Sequence, residues 1–216
     1  MRVSPNHPKN PLNPKVPLQV EPKHLITYDQ ALWRIHTTVG AHPTAWDELR
    51  TYGPISRFRW DPHPAPTQLH LEAAVSYAAT GFVMAFAEIF QHDQAITLSA
   101  SRALSGWYPA RALTLLDLVS SDWAVHHGAS ASLPQATRNI CRNWSNSIWA
   151  ELSRGSDALL DGLYVPSTTV GDPMVVLFPR ARDAFPATPD FSRSLNHAAV
   201  AAMATSAAAQ LRWAIR

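Results

Sequence analysis

Glu88 is the only charged residue between Ala73 and Gln91, and residues 80–91 around it are apolar on almost every side. Desolvating a carboxylate in such a setting costs on the order of several kcal/mol unless something pairs with it. Two readings are open: a structural ion pair, or a carboxylate held for chemistry. Two further groups could serve a charged substrate. The run Ile55-Ser56-Arg57-Phe58-Arg59-Trp60 interleaves two arginines with aromatic rings. That pattern can cradle a phosphate or stack on a base; equally, Phe58 and Trp60 can anchor a loop whose arginines face water. Arg34 lies in a stretch, residues 31–36, that alternates as a strand does, on the face opposite Trp33 and Ile35 and shared with His36. It reads as a surface group, or as the partner of an acid elsewhere.

Other reactive side chains fit less well. Cys141 is the only cysteine and has no histidine near it in sequence, so it reads as a core-edge residue rather than a nucleophile. Ser167 falls in a loop with no G-x-S-x-G elbow around it, which leaves a Ser-His-Asp hydrolase weakly supported. His126 and His127 are adjacent, and neighbouring side chains diverge on a helix or a strand. No histidine pair has H-x3-H or HExxH spacing, so no metal site is expected. No G-x-G-x-x-G follows a strand, which disfavours a dinucleotide recycled as a redox cofactor.

The elements that must position these groups follow from periodicity. Thr80 is a plausible cap for a helix over 81–91, in which Glu88 shares a face with Met84 and Ala85. Residues 112–118 and 159–165 read as strands, and residues 173–179 as a branched, continuous strand central to a sheet. Residues 133–154 repeat Ile140, Trp144, Ile148 and Leu152 every four positions and read as a helix ended by Gly155 or Ser156. Residues 69–79 are ambiguous between helix and strand, and residues 39–66 are rich in turn formers.

The chain has 216 residues and 46% hydrophobic content, enough for one sizeable core. A net charge of +2 argues against a dedicated DNA-binding surface. A single cysteine excludes an internal disulfide and fits a reducing compartment. The N-terminus lacks the apolar core of a secretory signal, and no apolar run reaches the ~18–20 residues of a membrane span, so a cytoplasmic protein is expected. Three regions are expected: a proline-rich basic arm over 1–25, a catalytic domain over 26–190, and an Ala-rich helix over 191–216 packed on the domain or on a partner subunit.

Four segments in order carry a resemblance: Leu32-Trp33-Arg34-Ile35; Gly53-Pro54-Ile55-Ser56-Arg57-Phe58; Tyr77-Ala78-Ala79-Thr80 leading to Ala85-Phe86-Ala87-Glu88-Ile89-Phe90; and Asp161-Gly162-Leu163-Tyr164-Val165-Pro166-Ser167 followed by Val175-Val176-Leu177-Phe178. Over about residues 26–180 the chain resembles the RES-domain family, named for an Arg, a Glu and a Ser. The glycine-rich segment usual around the family's second arginine is replaced by Ser56-Arg57-Phe58-Arg59-Trp60, which leaves open whether Arg57 or Arg59 faces a substrate.

The resemblance implies an α+β fold, a central sheet similar to that of ADP-ribosyltransferases flanked by helices. It implies a toxin of a bacterial toxin–antitoxin pair that depletes NAD+ by cleaving the nicotinamide–ribose bond, with water or inorganic phosphate as acceptor. NAD+ is then a substrate rather than a cofactor, and the partner is an Xre-type helix-turn-helix antitoxin that blocks the cleft. Homo-oligomerisation is also open. By motif, Arg34, Glu88 and Ser167 are the name-giving residues, and Tyr77 is the aromatic before the Glu-bearing helix. Glu88 would stabilise the positive charge that builds on the ribose. Arg34, with Arg57 or Arg59, would hold the pyrophosphate, and Tyr77 and Ser167 would hold nicotinamide or ribose. Two alternatives stay open: ADP-ribosyl transfer to a macromolecule, and an inactive RES-like binding domain.

Overall fold

The computed structural model describes residues 9–216. Its strands, in chain order, are β1 (Leu25–Tyr28), β2 (Leu32–Thr37), β3 (Tyr52–Gly53), β4 (Gln68–Leu69), β5 (Ser76–Ala79), β6 (Ala95–Ile96), β7 (Arg102–Trp107), β8 (Leu113–Asp117), β9 (Gly162–Pro166), β10 (Pro173–Leu177), β11 (Phe191–Ser194) and β12 (Ala214–Ile215). The α-helices are α1 (Phe82–Phe90), α2 (Trp123–His126), α3 (Arg138–Ile148) and α4 (Ala198–Leu211). Eight strands form one sheet in the order β1-β8-β9-β10-β5-β2-β7-β11, and β3–β4 and β12–β6 pair separately. Within the large sheet only β8 and β9 run parallel. The architecture is the expected α+β sheet flanked by helices.

Strand alternation sorts the side chains into three apolar clusters. On one face, Leu116, Leu163, Val165 and Val176 pack with Trp144 and Ile148 of α3. Further along the same face, Ile35, Ala79 and Leu104 pack with Met84, Phe86 and Phe90 of α1 and with Val200, Ala204 and Ala207 of α4. Met174 touches both clusters, so a seam between them runs along β10 and β5. The opposite face carries Leu32, Ala78, Trp107, Leu115, Val175 and Leu177, covered by Trp46, Ala181, Ala184 and Phe185. The sheet is narrowest where β5 meets β2, joined by the single register pair Trp33↔Ala79.

β10 is central, as its unbroken branched run requires. The C-terminal helix docks on α1 through its alanines. It stops at Arg212, whose φ of 58° turns the chain so that β12 can pair with β6. The helix expected over 133–154 divides: a single 3-10 turn over Leu133–Gln135, then α3, then a π turn over Trp149–Ser153. The helix around Glu88 starts one residue later than expected. Gly81 is its N-cap, because the Thr80 hydroxyl donates instead to Pro173 O at 2.7 Å and ties α1 to β10.

The proline-rich arm lies across the domain where the structure describes it; Pro5 and Pro8 fall outside the described residues. Trp144 Nε1 donates to Pro11 O at 2.9 Å, and Trp123 Nε1 to Gln19 O at 2.8 Å. Leu18 N donates to Glu151 at 2.8 Å while its side chain enters the α3 cluster. His127 bonds Gln19 O at 2.9 Å, so the histidine pair is divided between strapping the arm and, for His126, pairing with Asp122 at 3.0 Å.

Candidate active site

Glu88 is half-buried in the second half of α1. Its carboxylate accepts the hydroxyl proton of Ser167 and has no cation partner among the described residues. The ion-pair reading of this carboxylate is therefore not what the fold provides. Ser167 is 2% exposed and lies in the β9–β10 loop. Its own N–H bonds Asp172 O at 2.8 Å, and Gly171, at φ 86°, turns the loop so that its N–H reaches Ser167 O at 3.1 Å. The Ser167 Oγ accepts from Thr169 N at 3.0 Å and Val170 N at 3.3 Å. With two donors to it and its one proton on Glu88, the hydroxyl is fully committed. It orients the carboxylate, and its lone pairs are taken up by the two backbone N–H groups rather than left open for attack. A second bond, Thr169 Oγ1 to Gln91 Oε1 at 3.0 Å, fastens the same loop to the end of α1.

Tyr77 lies on β5 on the same sheet face as Ala79, which packs against α1. Its ring stacks on Phe58, centroids 5.3 Å apart at 20°. Among the described residues the buried hydroxyl makes no hydrogen bond of good geometry, with the Trp60 backbone beside it. Burial pushes the phenol pKa well up, Asp61 adds to the rise, and Arg50 and Arg142 oppose it. Arg57 is exposed, with its guanidinium carbon 5.0 Å from the Phe58 ring. Arg59 turns away: its Nη1 donates to Ala136 O and lies 3.6 Å from Cys141 Sγ. Of the two arginines, Arg57 is the one left open to a ligand. Cys141 is fully buried, and burial raises its thiol pKa, as suits a core residue.

The structure does not bring Arg34 to Glu88. Arg34 shares a strand face with Leu32 and His36, opposite the face on which α1 packs. Its Nη1 donates to Trp46 O at 3.1 Å, Glu48 O at 2.7 Å and Ser76 Oγ at 2.9 Å. Burial lowers its pKa to about 10, with Glu48 and Asp47 opposing. The arginine braces β2 against β5 and the 46–48 loop at the narrow junction through its Nη1. Beside it, His36 donates from Nδ1 to Thr44 O at 2.8 Å and accepts from Ser105 at 3.0 Å.

Sequence reasoning missed Arg50 and Asp61. Arg50 donates to Asp61 at 2.8 Å and lies 4.9 Å over Phe58. Asp61, fully buried, also accepts from Ile55 N at 2.8 Å and from the His63 ring. This cluster fixes both ends of the loop that carries Arg57 and Phe58. The local sign was the Asp61-x-His63 spacing in a turn-rich segment; the Arg50 partner is visible only in three dimensions. Burial pushes the Asp61 pKa up, but bonds from His63, Ile55 N and Arg50 outweigh it and hold the carboxyl at about 2. The folded pKa is below the ordinary value, so the stabilisation is present above pH ~4 and is lost as pH falls towards 2. Urea titrations at pH 5 and pH 2.5 should show the wild type losing about 2 kcal/mol more across this interval than Asp61→Asn. Equal losses would show that Asp61 is not the titrating group.

Glu21, His24 and His126 offer metal-type ligand atoms within 4.8 Å of one another. His24 Nδ1 accepts from Glu21 N at 3.1 Å, so its proton sits on Nε2, which donates to Asp122 at 3.1 Å. The lone pair is spent on the backbone, and the group latches the arm to α2. A cavity of about 430 Å³ lies against α3, lined by residues including His70, Glu72, Trp149 and Arg154, and holds none of the residues around Glu88. Among the described residues no helix is long and apolar enough to cross a membrane.

Comparison with known proteins adds two findings. The model of the RES domain matches residues 31–197, which contain all four segments of the resemblance. Among solved structures, a chain of the M. tuberculosis MbcT–MbcA toxin–antitoxin complex is similar, with a TM-score of 0.56 and 18% identity over 87% of this chain and 93% of that one. No curated protein matches.

Proposed function

The chain belongs to the RES-domain family, and on that premise we propose that it is the toxin of a toxin–antitoxin pair and cleaves the nicotinamide–ribose bond of NAD+ in the cytoplasm. One observation carries the reading: Glu88, in an apolar helix, is aimed by Ser167 and neutralised by no cation among the described residues. A structural carboxylate in that position would be paired. An unpaired one, held rigidly, suits a reaction in which positive charge develops next to it.

Cleavage moves the bonding electron pair from the ribose carbon to the nicotinamide nitrogen. The pyridinium leaves as neutral nicotinamide, and positive charge builds on the ribose. Glu88 stabilises that charge more in the transition state than in the ground state. Water then bonds to the ribose carbon and loses a proton to solvent, or phosphate bonds to it through an anionic oxygen. Ser167 acts through Glu88 by fixing the carboxylate orientation. Tyr77 faces the side of the sheet on which α1 packs, and Arg34 keeps β2 and β5 in place. A helix-turn-helix antitoxin would silence the protein by covering the seam along β10 and β5.

Ser167→Ala removes one charge-assisted hydrogen bond, so kcat for NAD+ should fall about 10- to 100-fold with KM little changed. Ser167→Thr, which keeps the donor, should recover part of the loss. An equal loss in both variants would show that the side chain only packs. Inducing the chain in a bacterial host tests the toxin reading. Growth should stop as the NAD+ pool falls, and Glu88→Gln should do neither. Growth arrest with labelled protein or nucleic acid and an intact NAD+ pool would instead mark transfer to a macromolecule.

A further inference from the structure

Residues 80–91 carry three polar side chains, Thr80, Glu88 and Gln91, and each of them is bonded to residues 167–173. Thr80 Oγ1 donates to Pro173 O at 2.7 Å at the start of α1. Glu88 accepts from the Ser167 hydroxyl near the end of the helix, and Gln91 Oε1 accepts from Thr169 Oγ1 at 3.0 Å just beyond it. The β9–β10 loop therefore grips the helix at both ends and at the carboxylate between them.

Two further bonds close these contacts into a ring. Gln91 follows Glu88 on the same face of the turn, and its Nε2 donates to Glu88 O at 2.9 Å. A carbonyl can only accept, so that bond fixes the amide orientation and leaves Oε1 to receive the Thr169 proton. On the loop, Thr169 N donates to Ser167 Oγ at 3.0 Å, and Ser167 donates to Glu88. The path runs from the Glu88 carboxylate through Ser167, Thr169 and Gln91 back to the Glu88 backbone carbonyl. Turning the side chain breaks the bond to Ser167, and sliding the last turn of α1 breaks the bond to Thr169. Gln91 alone would be a helix C-cap, since the last carbonyls of a helix lack intrahelical donors. The bond from Thr169 is not needed for a cap. It ties the backbone of Glu88 to the loop that aims its carboxylate.

We propose that Gln91 and Thr169 are positioning residues for Glu88, which close this ring and hold the carboxylate at the reacting ribose. This rests on the reading of Glu88 as the carboxylate of an NAD+-cleaving site. Neither residue is assigned a contact with the substrate; both act through Ser167 and the Glu88 main chain. A small displacement of the carboxylate weakens the transition state more than the bound substrate, so the effect belongs in kcat.

Thr169→Val removes the hydroxyl but keeps the side-chain shape, the N–H to Ser167 and the Gln91 cap, so it opens the ring at a single bond. kcat for NAD+ should fall about three- to tenfold, with KM within about twofold and the melting temperature within about 2 °C of wild type. Thr169→Ser, which restores the hydroxyl, should recover most of the loss. A double variant separates a ring from independent contacts. In protein already carrying Ser167→Ala, Thr169→Val should lower kcat by less than about twofold. Unchanged kcat in Thr169→Val, equal losses in Thr169→Val and Thr169→Ser, or losses that multiply in the double variant each overturn the proposal and leave the cleavage reading intact. Independently of turnover, the side-chain carboxyl carbon resonance of Glu88 can be followed by NMR in glutamate-labelled protein, identified by its absence in Glu88→Gln. It should move in Thr169→Val and return in Thr169→Ser. If the wild type does not cleave NAD+ while the resonance behaves in this way, the ring stands and the cleavage reading falls. A resonance that stays in place in Thr169→Val overturns the ring, whatever the turnover.

Discussion

Glu88→Gln is expected to lower NAD+ turnover by about a thousandfold while leaving the protein folded. Gln has the shape of Glu and its carbonyl oxygen accepts the Ser167 proton, so the loop-to-helix bond survives the change. What is lost is the negative charge. No cation among the described residues balances that charge, so its removal leaves no orphaned partner behind. The melting temperature should stay within about 2 °C of wild type, because substitutions without a broken network change stability by about 0.5 kcal/mol or less. Comparable turnover in the variant would remove Glu88 from the mechanism. A large drop in melting temperature would restore it to the role of a structural acid.

The largest stability effect is expected from Gly162→Ala. Gly162 opens β9 and pairs with Leu177 on β10 and with Leu115 on β8. A Cβ built there meets the Val176 carbonyl oxygen at 1.9 Å, a backbone atom of a central strand that cannot yield without moving the sheet. The neighbouring Asp161 is held at the same point by Arg111 at 2.8 Å, Arg180 at 2.6 Å and Thr114 N at 2.8 Å, which fixes the register. The clash should cost about 3 kcal/mol or more, a fall of roughly 6–12 °C in melting temperature for a chain of this size. Because β9 leads directly into the Ser167 loop, activity should fall with it. A variant melting as the wild type does would show that β9 and β10 do not approach this closely.

The Asp161-Gly162 pair illustrates how far the sequence could be read. As a motif it pointed to the family, but its physical reason is a contact between strands. The strand over 173–177 and the Glu-bearing helix were legible because their periodicity is local. β7 was not: Ser105 and Gly106 interrupt its apolar pattern, and both are explained only by distant groups. Ser105 bonds His36 and Ser192, and Gly106 leaves room for the Trp33 ring. β11, Phe191–Ser194, was hidden in the same way, since it is polar and pairs only with β7.

The site shows the same division. Residue types named Glu88 and Ser167 through family resemblance, while their direct bond spans 79 positions and needed coordinates. Alternation correctly set Arg34 opposite Trp33, and that same alternation turns it from the helix that carries Glu88. The bond from Arg142 Nη1 on α3 to Ser56 O, at 2.8 Å, depends on how the helix docks, and no local pattern encodes that.

The most direct test is to incubate the purified protein with NAD+, with and without inorganic phosphate, and to separate the products by chromatography. Nicotinamide should appear in step with NAD+ loss, together with ADP-ribose or its phosphorylated counterpart, and neither should form with Glu88→Gln. Intact NAD+ after prolonged incubation with the folded wild-type protein, in both conditions, would contradict the assignment of Glu88 and Ser167 to an NAD+-cleaving site.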